Sequence, residues 1–305
     1  DSTILNYSIE DLNNMYGTYP KPYLITSIWE QQFLDKEIPK TEGTEYGFDM
    51  DKLFTVKQKR NDKTRKLEYI TEFENEEQVK VMLMYYFGFP DKDKPYAEQH
   101  IYRRRGIIPR IRNICANDCR TLQLEHKVTT QLWFLPYGNQ RPIKNVVLTL
   151  LTLLINNPIF KDIQKEYYFY VALPEKGFDN INKNKVKFMR NSHNIKSEIE
   201  DLENKMRNGK LASKNLIILA GARLQLGISL RNVDIVTLWS NITSSDAIFQ
   251  MLFRSMTEVS TLNCEKYKFC PNKKFGFMVD LNPQRALTNT LLFGENLSTK
   301  KSVGK

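Results

Sequence analysis

The chain is short of the residues from which self-sufficient active sites are built. It has only four cysteines and three histidines among 305 residues. Cys115 and Cys119 form C-x3-C, Cys264 and Cys270 form C-x5-C, and His100, His126 and His193 are scattered. Neither spacing is the tight C-x2-C pair of common zinc modules, so no metal site is expected and the thiols should be reduced. Glycine is sparse too, at 13 residues, and neither G-x-x-x-x-G-K-[ST] nor a G-x-G-x-x-G behind a strand occurs. The chain therefore has no phosphate-cradling loop of its own. The absence of G-x-S-x-G and H-E-x-x-H argues against a serine hydrolase or a zinc protease. No long apolar segment is present: VVLTLLTLLI at 146–155 is about half of the ~20 residues that span a bilayer. It reads as a buried helix, with no membrane association. The opening DSTILNYSIEDL has no signal-peptide pattern and no initiator Met, so a soluble intracellular protein cut from a longer chain is expected.

What is present is an ordinary globular balance, 41% apolar and 26% charged, with a formal charge of +10. A surplus of this sign favours a polyanionic partner such as nucleic acid. Two stretches concentrate it. YRRRGIIPRIR at 102–112 carries five arginines in eleven residues, and NKNKVKFMR at 182–190 carries four basic residues around Phe188. Arginine forks bind phosphate and aromatic rings stack on bases, making Arg103, Arg104, Arg105, Lys185 and Lys187 candidate nucleic-acid contacts, with Tyr102 and Phe188 as stacking groups. A solvated charged face explains each stretch equally well. The basic KQKRNDKTRK at 57–66 reads as a charged turn between two strands.

The second half has a rhythm. QLWFLP (131–136), YYFYVA (167–172), NLIILA (215–220), DIVTLW (234–239) and FGFMVD (275–280) are nearly continuous apolar runs. Strands covered on both faces look like this, hence parallel and flanked by helices. Helices are predicted over 143–156, 195–207, 244–256 and 283–293, which gives a doubly wound α/β layer. The first 127 residues read as mixed α+β, with a helix at 76–88 and a strand from 23 running into a helix. A soft boundary near 115–128 divides a connecting segment, 1–127, from an α/β domain, 128–305.

Within that domain, Ser244, Ser245 and Asp246 are predicted to cap a helix start. Ala247, Ile248, Met251, Leu252 and Ser255 would face the sheet, and Gln250 and Arg254, four apart, would share another face. An ion pair to Glu258 is the plain alternative for Arg254. Gly221 and Gly227 would sit in the turn between two strands, where close backbone approach favours glycine; plain turns explain them as readily.

These segments resemble motifs IV to VI of superfamily 2 helicases, in the second of two RecA-like lobes. LGISL at 226–230 with NVDIVTLW is similar to motif V of the Snf2-like branch, Gln250 and Arg254 match Q-x-x-G-R in motif VI, and QLWFLP resembles motif IV. The wording of LWFLP and QMLFR is similar to helicases of nucleocytoplasmic large DNA viruses, African swine fever virus among them. The resemblance covers roughly residues 128–293. Two departures stand out: Phe253 replaces the motif VI glycine, and Thr257 the second arginine. PYLITSIW at 22–29 is a weak match to motif III, and an ordinary strand reads better.

The resemblance implies a RecA-like parallel sheet and an ATP-dependent helicase or translocase. Arg254 and Gln250 would act on ATP and Mg²⁺ held by a preceding lobe. Gly227 and Ser229 would line the nucleotide edge, and Gly221 and Arg223 would touch DNA or RNA. The isolated chain would be inactive for want of a P-loop. Implied partners are nucleic acid, the first lobe and viral transcription or replication proteins, in host cytoplasm or virion. A non-catalytic nucleic-acid-binding or transcription-complex module is the alternative.

Overall fold

The computed structural model describes residues 20–27, 49–89, 96–118, 129–138, 141–179, 181–213, 215–221, 224, 230–242, 244–257, 275–282 and 285. Its centre is a seven-stranded, wholly parallel sheet. In chain order the strands are β1 (Lys21–Thr26), β4 (Thr129–Phe134), β5 (Tyr167–Pro174), β6 (Val186–Met189), β7 (Asn215–Ala220), β8 (Val233–Leu238) and β9 (Phe275–Asp280). They lie side by side as β1-β9-β8-β4-β7-β5-β6. A separate antiparallel hairpin joins β2 (Val56–Arg60) to β3 (Leu67–Phe73). The expected α/β, RecA-like parallel sheet flanked by helices, with mixed α+β structure ahead of it, is the architecture found.

The five apolar runs are the five inner strands, and burial explains their composition. β4, β7 and β9 are buried at every position but the first. Odd-numbered side chains such as Trp133, Phe169, Ile217 and Ile235 enter one core with α5 (Ile143–Asn156), and even-numbered ones such as Leu132, Tyr170, Ile218 and Val236 enter a second core with α7 (Ile195–Arg207) and α8 (Ser245–Leu252). Successive strand residues point to opposite faces, so a helix layer on each side removes the polar alternation. The run at 146–155 is indeed the buried part of α5. Among the described residues no single helix is long and apolar enough to cross a membrane.

Residues before 128 take part in the same body. β1 pairs with β9 in register from Lys21↔Phe275 to Thr26↔Asp280. The helix expected at 76–88 is α2 (Glu76–Phe87), closed by Gly88 in the left-handed region at φ 78°. With α4 (Ile107–Asp118) it covers the α5 side of the sheet. Tyr86 on α2 donates to Gln131 Oε1 at 2.9 Å and meets Thr237 Oγ1 at 2.8 Å, joining helix to sheet inside the core. Short α1 (Met50–Leu53), α3 (Tyr96–Arg105) and α6 (Lys161–Glu166) complete the helices described. The charged turn at 61–66 is a hairpin tip folded on one side chain: Asn61 Oδ1 accepts from the backbone of Lys63 and Thr64 at 2.9 and 3.1 Å.

Candidate functional site

Chain direction fixes where a ligand site can form. From β4 the chain moves towards β5 and β6; from β7 it moves the other way to β8 and β9. Because parallel crossovers are almost always right-handed, the two directions put α5 on one face and α7 and α8 on the other. Such a reversal opens a crevice beyond the carboxyl ends of the strands, the usual ligand position in open α/β sheets.

That end of the sheet carries a polar cluster that sequence reading missed. Arg141, after β4, donates to Asp51 Oδ2 at 3.0 Å. Asp51 Oδ1 accepts from the backbone of Asn241, after β8, at 3.1 Å. Asn241 also donates to Asp49, and its Oδ1 accepts from Met50 N at 3.3 Å and from Asn282, after β9, at 3.1 Å. Beside it, Arg285 binds both oxygens of Asp280 at 2.8 Å and donates to the carbonyls of Ser240 and Ile242 at 2.6 and 2.9 Å. Asp280 is wholly buried and Arg285 nearly so. The members are up to 236 residues apart, from Asp49 to Arg285, and no local motif announces them. These hydrogen bonds tie the loops after β4, β8 and β9 to one another, to α1 and to the end of β9, so the cluster fixes the crevice walls.

Gly221 follows β7 and is buried. A Cβ there would lie 3.1 Å from Ile143 Cγ1 at the start of α5. Close packing of helix on sheet accounts for the glycine. Gly227, Ser229 and Arg223 lie outside the described residues.

The arginine segment is built differently from the prediction. In place of one helix over 244–256, α8 stops at Leu252 and a 3-10 turn, Phe253–Met256, carries Arg254. Two hydroxyls secure the turn: Ser255 Oγ donates to Leu252 O at 3.0 Å and Thr257 Oγ1 to Arg254 O at 3.2 Å. Thr257 thus closes the turn that holds Arg254. Ser244 occupies the N-cap position but makes no side-chain capping bond. The predicted sheet face is largely correct, with Ile248, Met251, Leu252 and Ser255 buried and Ala247 half-buried.

Gln250 is exposed, whereas Arg254 is half-buried and burial lowers its pKa from the ordinary guanidinium value. A Cβ on Gly276 would meet Met256 Sδ at 2.5 Å and Ser255 O at 2.6 Å. Gly276 is the second residue of β9, so this turn lies towards the amino end of that strand, while Gly221 lies at the carboxyl end of β7. The fold does not bring Arg254 and Gly221 to one end of the sheet.

The basic stretches also divide. Arg103, Arg104 and Arg105 are exposed at the end of α3 and have no side-chain partner among the described residues. Tyr102 is wholly buried, so it is no stacking platform. Arg110 donates to Thr26 O at 2.5 Å and Arg112 to Glu166 Oε2 at 3.3 Å. In the second stretch Phe188 is buried against Phe178, ring centres 4.8 Å apart, which removes the other expected stacking group. Lys185 donates to Ser213 Oγ at 2.9 Å, and Lys187 reaches Glu198 O at 3.4 Å and Asp201 at 3.7 Å. Among the described residues no group of three or more His, Cys, Asp and Glu is arranged to hold a metal ion. No protein-family model matches the chain, and no curated protein matches it.

Proposed function

We propose that this chain is the second RecA-like lobe of an ATP-dependent superfamily 2 helicase or translocase of the large-DNA-virus type. The observation that carries the reading is Arg254, a half-buried guanidinium on a turn packed against a rigid parallel sheet, combined with the motif V and VI wording around it. A charge held in place and partly dehydrated acts more strongly on a phosphoryl group than a mobile solvated one. The sequence has no P-loop motif, and on this reading ATP and Mg²⁺ sit between this lobe and one bearing a P-loop. Bound nucleotide supplies the phosphoryl group there. Arg254 stabilises its charge, Gln250 orients beside it, and Gly227 and Ser229 line the edge by motif position. Of the predicted contacts, Arg103, Arg104 and Arg105 are exposed to hold DNA or RNA backbone; Lys185 and Lys187 are already engaged, and buried Gly221 contributes packing.

On this reading the purified chain binds nucleic acid but does not turn over ATP. Metal-dependent hydrolysis by the chain alone, persisting through further purification and lost in an Arg254→Ala variant, would defeat it. The separation of Arg254 from Gly221 and the replacement of the second arginine by Thr257 favour one second reading, a lobe that serves a transcription complex as a nucleic-acid-binding module without motor activity. The two part on whether nucleotide changes nucleic-acid affinity in the parent protein.

A further inference from the structure

The hairpin of β2 and β3 is a separate two-stranded ribbon with a buried root and an exposed outer end. At the root Val56 faces Phe73 inside the core. Phe54, just ahead of β2, sets its ring 5.6 Å from those of both Phe73 and Trp239, and Glu74 N donates to Thr55 O at 2.8 Å. Directly before the root, α1 brings Asp51 to the crevice cluster, so the arm is anchored beside the crevice. From Gln58 to Glu68 every residue but Asn61 is exposed. Leu67, at 68%, is the most exposed large apolar side chain among the described residues. The tip is nevertheless folded: Asn61 N donates to Lys66 O at 2.8 Å, Arg65 N to Asn61 O at 2.7 Å and Arg60 Nε to Arg65 O at 3.2 Å. A ligand taken up here has little left to order.

Charge is sorted along the arm. Lys59, Arg60, Lys63, Arg65 and Lys66 share its outer end with one acid of the tip, Asp62. Glu68 is held by Asn61 Nδ2 at 2.9 Å and Thr64 Oγ1 at 3.5 Å; lower down Glu72 is paired with Lys57 at 3.1 Å, and Glu74 lies at the root. The side chains of Lys59, Lys63, Arg65 and Lys66 make no hydrogen bond or ion pair among the described residues. Directly opposite residues share a face, so the pairs Arg60↔Leu67 and Gln58↔Tyr69 put Gln58, Arg60 and Leu67 on one face, and Lys59↔Glu68 the other. We propose that this arm enters the major groove of duplex DNA, with Lys59, Lys63 and Lys66 on phosphates and Gln58, Arg60 and Leu67 against base edges. That groove, about 12 Å wide and 8.5 Å deep, admits a two-stranded ribbon. Gln58–Arg60 with the turn beyond it reaches about 10 Å. Arginine and glutamine bond base edges there, and an apolar side chain meets the thymine methyl. A single strand fits less well because the arm's one ring, Tyr69, is half-buried against the core and offers no stacking platform at the outer end. Duplex RNA has a major groove too narrow to enter. The inference goes beyond the motor reading and does not depend on Arg254.

The test is fluorescence anisotropy with the full chain and a labelled DNA duplex, without nucleotide. Saturable binding is expected. Lys59→Ala, Lys63→Ala and Lys66→Ala combined, all at exposed positions, should weaken it at least about tenfold and lower the salt slope by about three, with the circular dichroism spectrum and unfolding midpoint unchanged. Single-stranded DNA and duplex RNA should lose less than about threefold in the same variant. A duplex carrying glucosylated hydroxymethylcytosine, whose sugars fill the major groove, should bind the unaltered chain about tenfold more weakly. Absence of saturable binding, an unchanged salt slope in the triple variant, equal losses on all three nucleic acids, or full affinity for the glucosylated duplex overturns the proposal. So does displacement of the duplex by polyglutamate at equal charge concentration, since the arm then serves an acidic protein. Failure of the motor reading shows elsewhere, as ATPase activity of the parent protein indifferent to Arg254→Ala.

Discussion

Glu203 carries a carboxyl group into the interior, wholly buried at the amino ends of β4 and β8, where Thr130 Oγ1 donates to it at 2.6 Å and Asn232 closes its other oxygen. Burial raises its pKa, opposed by the two hydrogen bonds and by Arg207. A raised folded value means that the native state keeps a proton the unfolded chain has released. Stability therefore falls as pH rises from the ordinary carboxylate value towards the folded one, and the cost stays in full above it. Glu203→Gln should remove that slope in urea unfolding measured from about pH 4 upward; an unchanged slope contradicts the assignment, whatever constant offset the lost acceptor causes. Asp280 makes a second case. Asp280→Ala leaves the Arg285 guanidinium buried without its counter-charge, and should cost roughly 3–5 kcal/mol in chemical unfolding; a loss below about 1 kcal/mol would mean that water reaches the pair. Neither residue stood out in the sequence. Tyr102 and Phe188 did, for the wrong reason: charged neighbours suggested exposure, but helix and strand geometry turns those rings inward, with Arg103 facing water and Lys187 held by Glu198 and Asp201.

At the scale of elements, the arginine turn depends on a missing side chain. Gly276→Ala would drive a methyl into Met256 Sδ and the carbonyl of Ser255, and backbone cannot yield as a side-chain tip can. A loss of about 1–3 kcal/mol is expected, read by thermal unfolding. Unchanged stability would show that the turn is not seated on β9. Tyr86→Phe tests the helix-to-sheet link, since Gln131 and Thr237 would lose a buried partner, at about 1–3 kcal/mol; an unchanged unfolding midpoint would count against it. The inner strands were legible because burial on both faces demands continuous apolar runs. β6 was not, because its four residues, Val186–Met189, sit inside a basic run that hides the three buried ones. The end of α8 was misjudged because periodicity does not separate an α-helix from a closing 3-10 turn.

The molecule as a whole is basic, but the fold spends some cations on internal bonds and leaves Arg103, Arg104 and Arg105 free. Replacing all three by alanine should weaken nucleic-acid binding across sequences and lower the salt slope by about three. A slope that does not change places the track elsewhere. Long-range closure was invisible beforehand: β1 and β9 pair across some 254 residues, and the crevice cluster joins loops from both halves, whereas periodicity reports only a residue's own segment. The central claim is that Arg254 acts on a nucleotide held by a partner lobe. Nucleic-acid-stimulated ATPase activity of the parent protein, with and without Arg254→Ala, tests it most directly. The account predicts stimulated turnover that falls by about three orders of magnitude or more in the variant while folding and nucleic-acid binding persist. Full activity in Arg254→Ala would contradict it.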